Sequence, residues 1–150
     1  MPSKTRCLTL ASFMHHIIYL SWATTPFSDE QLHALLQEAR SHNASVGVTG
    51  MLVYGNGCFM QVLEGEETTV RALYDYIKHD ARHRDVTAYA DKAIEQRVFA
   101  EWEMAFQTAT PAQFEQLAGY LQPADMQVDA SRISLVDLQL LDLLRSFVTP

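Results

Sequence analysis

The order of hydrophobic periods along this sequence predicts an α+β domain, on three observations. HIIYLSW, His16 to Trp22, alternates with β-branched and aromatic residues and stops at TTP, as a strand does. Leu32, Leu35, Leu36 and Ala39 then recur at helical spacing, as do Val70, Leu73, Tyr74 and Ile77 further on. Between these helices, VGVTGMLVYGNGCFMQVLEG reads as two extended runs joined at Gly55-Asn56-Gly57, whose residues tolerate positive φ, so the runs pair as a hairpin. The resulting order, β-α-β-β-α-β plus one strand, is the ferredoxin-like arrangement with both helices on one face of the sheet.

Each element has its own punctuation. Ser28 and Gln31 have capping-box spacing, which starts the first helix, and its apolar period runs to about His42. Glu66 and Glu67 stand at the positive end of the second helix, which stops near His79. A fourth strand is expected over Val86 to Ala93. A fifth is expected in VFAEWEMAF, with Ala100, Trp102, Met104 and Phe106 on one face. Thr110-Pro111 with Gln113 starts a helix carrying Phe114, Leu117, Ala118 and Leu121, and Ser134 starts another carrying Leu135, Leu138, Leu141 and Leu144. QPADMQVDAS links them, and these two C-terminal helices are expected to cover the second sheet face, packed on it by Leu138, Leu141 and Leu144. Residues 1–14 read as an N-terminal extension, 15–107 as the main domain and 108–150 as a helical cap.

Composition narrows the function classes. A chain of 150 residues with 48% hydrophobic and 19% charged residues fits one ordinary globular domain. Its net charge of -7, with no basic cluster, argues against nucleic acid as a partner. No apolar run is long enough to span a membrane. Lys4 and Arg6 precede an apolar stretch, but His15 and His16 interrupt it and no cleavage site follows, so a signal peptide is not expected and a cytoplasmic location is. Two cysteines, Cys7 and Cys58, support neither a disulfide scaffold nor a zinc ribbon. His79, Asp80 and His83 have metal-like spacing but straddle a helix end, where basic residues meet the negative dipole, so no metal site is assigned. There is no GxGxxG or Walker loop, and SWATTPFS after the first strand lacks the arginine of an acylphosphatase-like phosphate cradle.

Three polar residues stand where apolar ones would be easier. Gln61 shares a strand face with Phe59 and Leu63, Tyr19 lies between Ile17 and Ser21 on a core face, and Asn43 falls at the end of the first helix. An unpaired buried amide group costs roughly 1 to 3 kcal/mol, so something must meet Gln61. Each also has a plain structural reading: a core tyrosine, a left-handed helix C-cap, an edge-strand amide. If all three point to the helix-covered side, they form a hydrogen-bonding constellation in a common place for a ligand.

Taken together, IIYLSWA, HNASVGVTGMLVY, FMQVLEG, DARH and RVFAEWEMAF resemble the BLUF domain, the flavin-binding blue-light sensor, from about His16 to Phe106. The resemblance implies a flavin, FAD with FMN or riboflavin as possible substitutes, between the two helices. It implies Tyr19 and Gln61 as the photoactive pair and Asn43 as a partner of the flavin ring. Ser21, His42, Asp80, Arg82 and His83 become pocket or supporting groups, and Trp102 with Met104 a relay on the fifth strand. This chain has Tyr76 where the family often has an arginine, so contacts to the flavin tail fall to Lys78 and Arg82. The implied activity is sensory rather than enzymatic: reversible electron and proton transfer from the tyrosine, leaving the flavin oxidised but differently hydrogen-bonded, with output by contact with an unidentified downstream protein or another copy in a homo-oligomer. The alternative reading is a flavin-independent interaction or oligomerisation module on the same fold.

Overall fold

A computed structural model of the chain describes residues 14–119 and 135–148. Cys7, Leu121, the linker QPADMQVDAS and the Ser134 helix start lie outside the described residues, as does the N-terminal extension up to residue 13. The elements are β1 (Met14–Ala23), α1 (Asp29–Val46), β2 (Thr49–Gly55), β3 (Cys58–Glu66), α2 (Glu67–Lys78), β4 (His83–Ala93), β5 (Ala105–Thr108), α3 (Pro111–Ala118) and α4 (Leu135–Val148). The sheet runs β4-β1-β3-β2-β5, antiparallel throughout except for β5, which lies parallel to β2. This is the expected ferredoxin-like sheet with one added strand. Among the described residues, no helix is long and apolar enough to cross a membrane.

Local chemistry sets the ends of these elements. Ser28 and Gln31 form the full capping box, and Thr110 and Gln113 form another at α3, behind Pro111. The α1 helix runs past His42 to Val46 and stops at Gly47, whose φ of 72° suits a residue without Cβ. Asn43 therefore sits inside the helix rather than at its left-handed cap. Asn56 and Gly57, at φ 54° and 76°, close the β2–β3 hairpin in two residues.

Strand alternation divides the core. Ile17, Tyr19, Leu52, Phe59 and Leu63 face α1 and α2, where Leu32, Leu36 and Val70 meet them. Ile18, Met51, Val53, Met60 and Val62 face the other way and pack against Phe99, Leu117, Leu140, Leu141 and Leu144. The C-terminal helices thus cover their own sheet. The buried stripe of α4 differs from the expected one: Leu138 is 48% exposed, and Asp137 takes its place beside Leu140, Leu141 and Leu144. Asp137 is held there by Lys92 of β4 at 2.5 Å, both side chains being buried.

The fifth strand also differs. Only Ala105–Thr108 pairs with β2, and residues 98–104 form turns. The backbone amides of Val98 and Phe99 are taken by the Glu64 carboxylate, at 2.6 and 3.0 Å, so no ladder is available to them. Consequently Trp102 and Met104 do not share a face. Met104 packs in the cluster under α1 and α2, whereas Trp102 packs against the cluster on the opposite side.

Candidate functional site

On the α1/α2 face the layer is hollow. A cavity of about 740 Å³ lies between the two helices, within the range that holds small-molecule ligands. Leu35, Ala39, Asn43 and Val46 line it from one stripe of α1, and Thr69, Leu73, Tyr76 and Ile77 from one stripe of α2. Tyr19, Leu52 and Gln61 form the floor, and Asp80, Arg82 and His83 close the corner before β4.

Tyr19 and Gln61 stand directly opposite each other on β1 and β3. The Tyr19 hydroxyl donates a short hydrogen bond to Gln61 Oε1, and Gln61 Nε2 donates to Met104 Sδ at 3.3 Å. Both ends of the amide are engaged, which sets its orientation while leaving one N–H and one acceptor lone pair for a ligand. Tyr19 is 1% exposed, and burial, with Tyr74 and Asp80 nearby, pushes its hydroxyl far above the ordinary tyrosine value. It is a neutral donor at any physiological pH.

Asn43 is buried at 2% exposure, and its Nδ2 donates to the carbonyl of Glu103 at 3.2 Å. Arg40, one turn earlier, donates to the carbonyl of Met104 at 3.0 Å. The first helix therefore grips the backbone that carries Met104. His42 lines the cavity from an exposed position.

At the corner, Arg82 reaches Asp80 at 2.7 Å and Glu38 at 3.3 Å. The Arg82 hydrogen bonds hold the Asp80 carboxyl below the usual carboxylate range. His83 Nδ1 lies 2.9 Å from Ser21 Oγ, and burial pushes the imidazole below its ordinary value, with Asp80 opposing. Ser21 does not line the cavity but orients His83, which does. Lys78 stands apart, over the Tyr74 ring at 5.1 Å and 3.9 Å from Asp75. Trp102 is on the far side of the sheet, 6.2 Å from Phe99 and under the Arg145 guanidinium at 5.3 Å.

Four polar lining residues were not singled out by sequence reasoning as site groups: Glu38, Thr68, Thr69 and Tyr76. The signal was present in the helical period, since Glu38 lies one turn before His42, and Thr69 and Tyr76 fall seven apart on one face.

A model of the family described as "Sensors of blue-light using FAD" matches residues 14–105. The photoactivated adenylate cyclase subunit beta of Euglena longa is 38% identical over 122 residues, covering 79% of this chain and 14% of that protein. The chain thus spans about one seventh of the length of that relative, and cyclase activity is a property of that protein. Among solved structures, the BLUF domain of BlrP1 is 34% identical with a TM-score of 0.59, covering 64% of this chain and 65% of that one. BlsA in its photo-activated state shares the fold, at a TM-score of 0.69 and 22% identity over 91% of this chain and 96% of its own. With a ligand-sized cavity over a hydrogen-bonded Tyr19–Gln61 pair and a match running from the start of β1 to the first residue of β5, the chain belongs to the BLUF family of flavin-based blue-light sensors.

Proposed function

We propose that this chain senses blue light through a flavin held between α1 and α2, with the Tyr19–Gln61 hydrogen bond as the switch. The observation that carries the reading is the Tyr19–Gln61–Met104 chain on the floor of the cavity. The residues present fit such a group: apolar side chains from both helices suit a flat ring system, and Gln61, Asn43, Arg82 and His83 offer polar contacts to its edge. No protein donor among the described residues reaches Asn43 Oδ1, which leaves that oxygen for a ligand N–H.

A bound flavin supplies blue-light absorption and, when excited, an oxidant for the neighbouring phenol. Tyr19 is suited to give up an electron together with its hydroxyl proton, because Gln61 Oε1 already accepts that hydrogen bond. Passing the proton to the amide oxygen reverses the direction of the contact that fixes Gln61 and weakens its hold on the original amide orientation. An amide offers donors at one end and an acceptor at the other, so rotation or tautomerisation reverses what it presents. When electron and proton return to Tyr19, the pair can close in a second arrangement, separated from the first by a few kcal/mol.

FAD is the expected cofactor. FMN and riboflavin are accepted too, because Arg82 is shared between two carboxylates and Lys78 faces Tyr74, which leaves tail recognition weak; a solved BlrP1 structure, 29% identical, is described with FMN. Output passes by contact with another protein, or with a second copy in a homo-oligomer, in the cytoplasm, without nucleic acid or membrane. Cofactor retention tests the reading first: the purified protein should be yellow, or become so with FAD, and blue light should shift its absorption to longer wavelength. Protein that stays colourless after incubation with FAD would return the chain to a flavin-independent interaction module.

A further inference from the structure

The segment between β4 and β5 is fastened to the end of β3 by one fully buried carboxylate. Glu64 is 0% exposed. Its Oε2 accepts from Val98 N–H at 2.6 Å, and its Oε1 accepts from Phe99 N–H at 3.0 Å and the Thr49 hydroxyl at 3.0 Å. Arg97 completes the fastening, donating to Thr49 Oγ1 at 2.8 Å, to the Glu64 carbonyl at 3.2 Å and to the Gly47 carbonyl at 2.8 Å. Burial pushes the Glu64 carboxyl above its ordinary value, and the Val98 and Phe99 amides, the Thr49 hydroxyl and the Arg97 charge oppose that shift; three donors meet its acceptor sites.

From Phe99 the chain reaches Met104 in five residues. Along that run, Gly50 N–H donates to the Trp102 carbonyl at 3.2 Å. A Cβ on Gly50 would lie 1.8 Å from the Val62 carbonyl oxygen and 3.5 Å from Met104 Cε, so the run passes close against β2 and seats the Met104 methyl there. Met104 Sδ in turn accepts from the Gln61 amide. The amide is thereby oriented by a sulfur whose backbone is held at its own end by Asn43 and Arg40 and at the start of the run by the pins on Val98 and Phe99.

We propose that Glu64 is a positioning residue for the Tyr19–Gln61 switch: by capping the amides of Val98 and Phe99 it sets where Met104 meets Gln61. This rests on the photoreceptor reading above for its consequence, though not for its geometry. Glu64 neither lines the cavity nor hydrogen-bonds Gln61. A role confined to holding the fold would alter stability and leave Met104 and the photocycle as they are.

The test combines methionine-methyl NMR on flavin-free protein with light-minus-dark spectroscopy on flavin-loaded protein, for Glu64→Gln, Glu64→Asp and Arg97→Met. Met104→Leu assigns the methyl signal. Glu64→Gln keeps the shape but offers one acceptor oxygen instead of two, and Arg97→Met loosens the same segment from outside the buried site, should Glu64→Gln fold poorly. The Met104 methyl signal should move or broaden in Glu64→Gln and Arg97→Met, and less in Glu64→Asp. Flavin should remain bound, and dark recovery should quicken on the order of threefold to tenfold, as loss of one hydrogen bond to a barrier implies. An unchanged Met104 signal in folded variants overturns the proposal, and so does a displaced signal with wild-type recovery. Absence of any light response in the wild type would instead defeat the photoreceptor reading, while the flavin-free NMR would still decide whether Glu64 places Met104.

Discussion

The two faces of the sheet share the same strands and are built differently. Towards α1 and α2, Tyr19, Asn43 and Gln61 are buried with only part of their hydrogen-bonding capacity used, beside a cavity of about 740 Å³. Towards α3 and α4, apolar side chains fill the layer, and the polar groups there are tied up by the protein, Lys92 with Asp137 and Glu64 with the Val98 and Phe99 amides. One neighbour of that pair is left out: His16, 0% exposed, has a partner among the described residues for neither ring nitrogen. The difference teaches that buried polar groups beside a hollow keep hydrogen-bonding capacity open to a ligand, whereas those in a filled layer are met by the protein or left unmet at a cost in stability.

The largest expected effect lies on the hollow face. Gln61→Leu removes the acceptor for Tyr19 and the donor to Met104, and Tyr19→Phe removes the hydroxyl; each should keep bound flavin and lose the light-induced shift completely, as read by absorption. A normal shift in either variant would remove the proposed switch.

On the filled face the effects should appear in stability instead. Asp137→Ala leaves the Lys92 ammonium buried without this carboxylate and should lower unfolding free energy by about 3–5 kcal/mol in denaturant titration. His16 should give a pH effect next in size. Burial pushes its pKa down to about 4, with Asp137 and Asp91 opposing and His15 and Lys92 adding to that shift. The unfolded chain, titrating near 6.5, binds the proton first, so this contribution is intact above pH about 6.5 and lost as pH falls towards 4, on the order of 3 kcal/mol in all. His16→Leu should flatten that part of the stability curve, and an unchanged acid slope would contradict the assignment. Leu138→Ala should do least, within about 0.5 kcal/mol, because its side chain is 48% exposed.

What the sequence disclosed follows the range of the forces involved. Alternation and capping are local, so β1, the hairpin, both capping boxes and the shared face of Tyr19 and Gln61 were legible. The misread parts depend on partners far along the chain. Residues 98–104 alternate like a strand, but Glu64 takes the amides of Val98 and Phe99 from 34 and 35 residues away. Leu138 fits a helical stripe, but Lys92, 45 residues distant, draws Asp137 inward and turns the helix. Trp102 was grouped with Met104 by strand parity, and parity fails once the strand is absent. The stripes of α1 and α2 were readable, yet whether they enclose a hollow is settled only when both helices dock on the sheet.

The most direct test of the central claim is the light-minus-dark absorption spectrum of the flavin-loaded protein, recorded during blue illumination and through the following dark period. The Tyr19–Gln61 switch predicts a flavin band displaced to longer wavelength at undiminished intensity, returning fully in the dark. A spectrum that bleaches, or that does not move while flavin is bound, would contradict it.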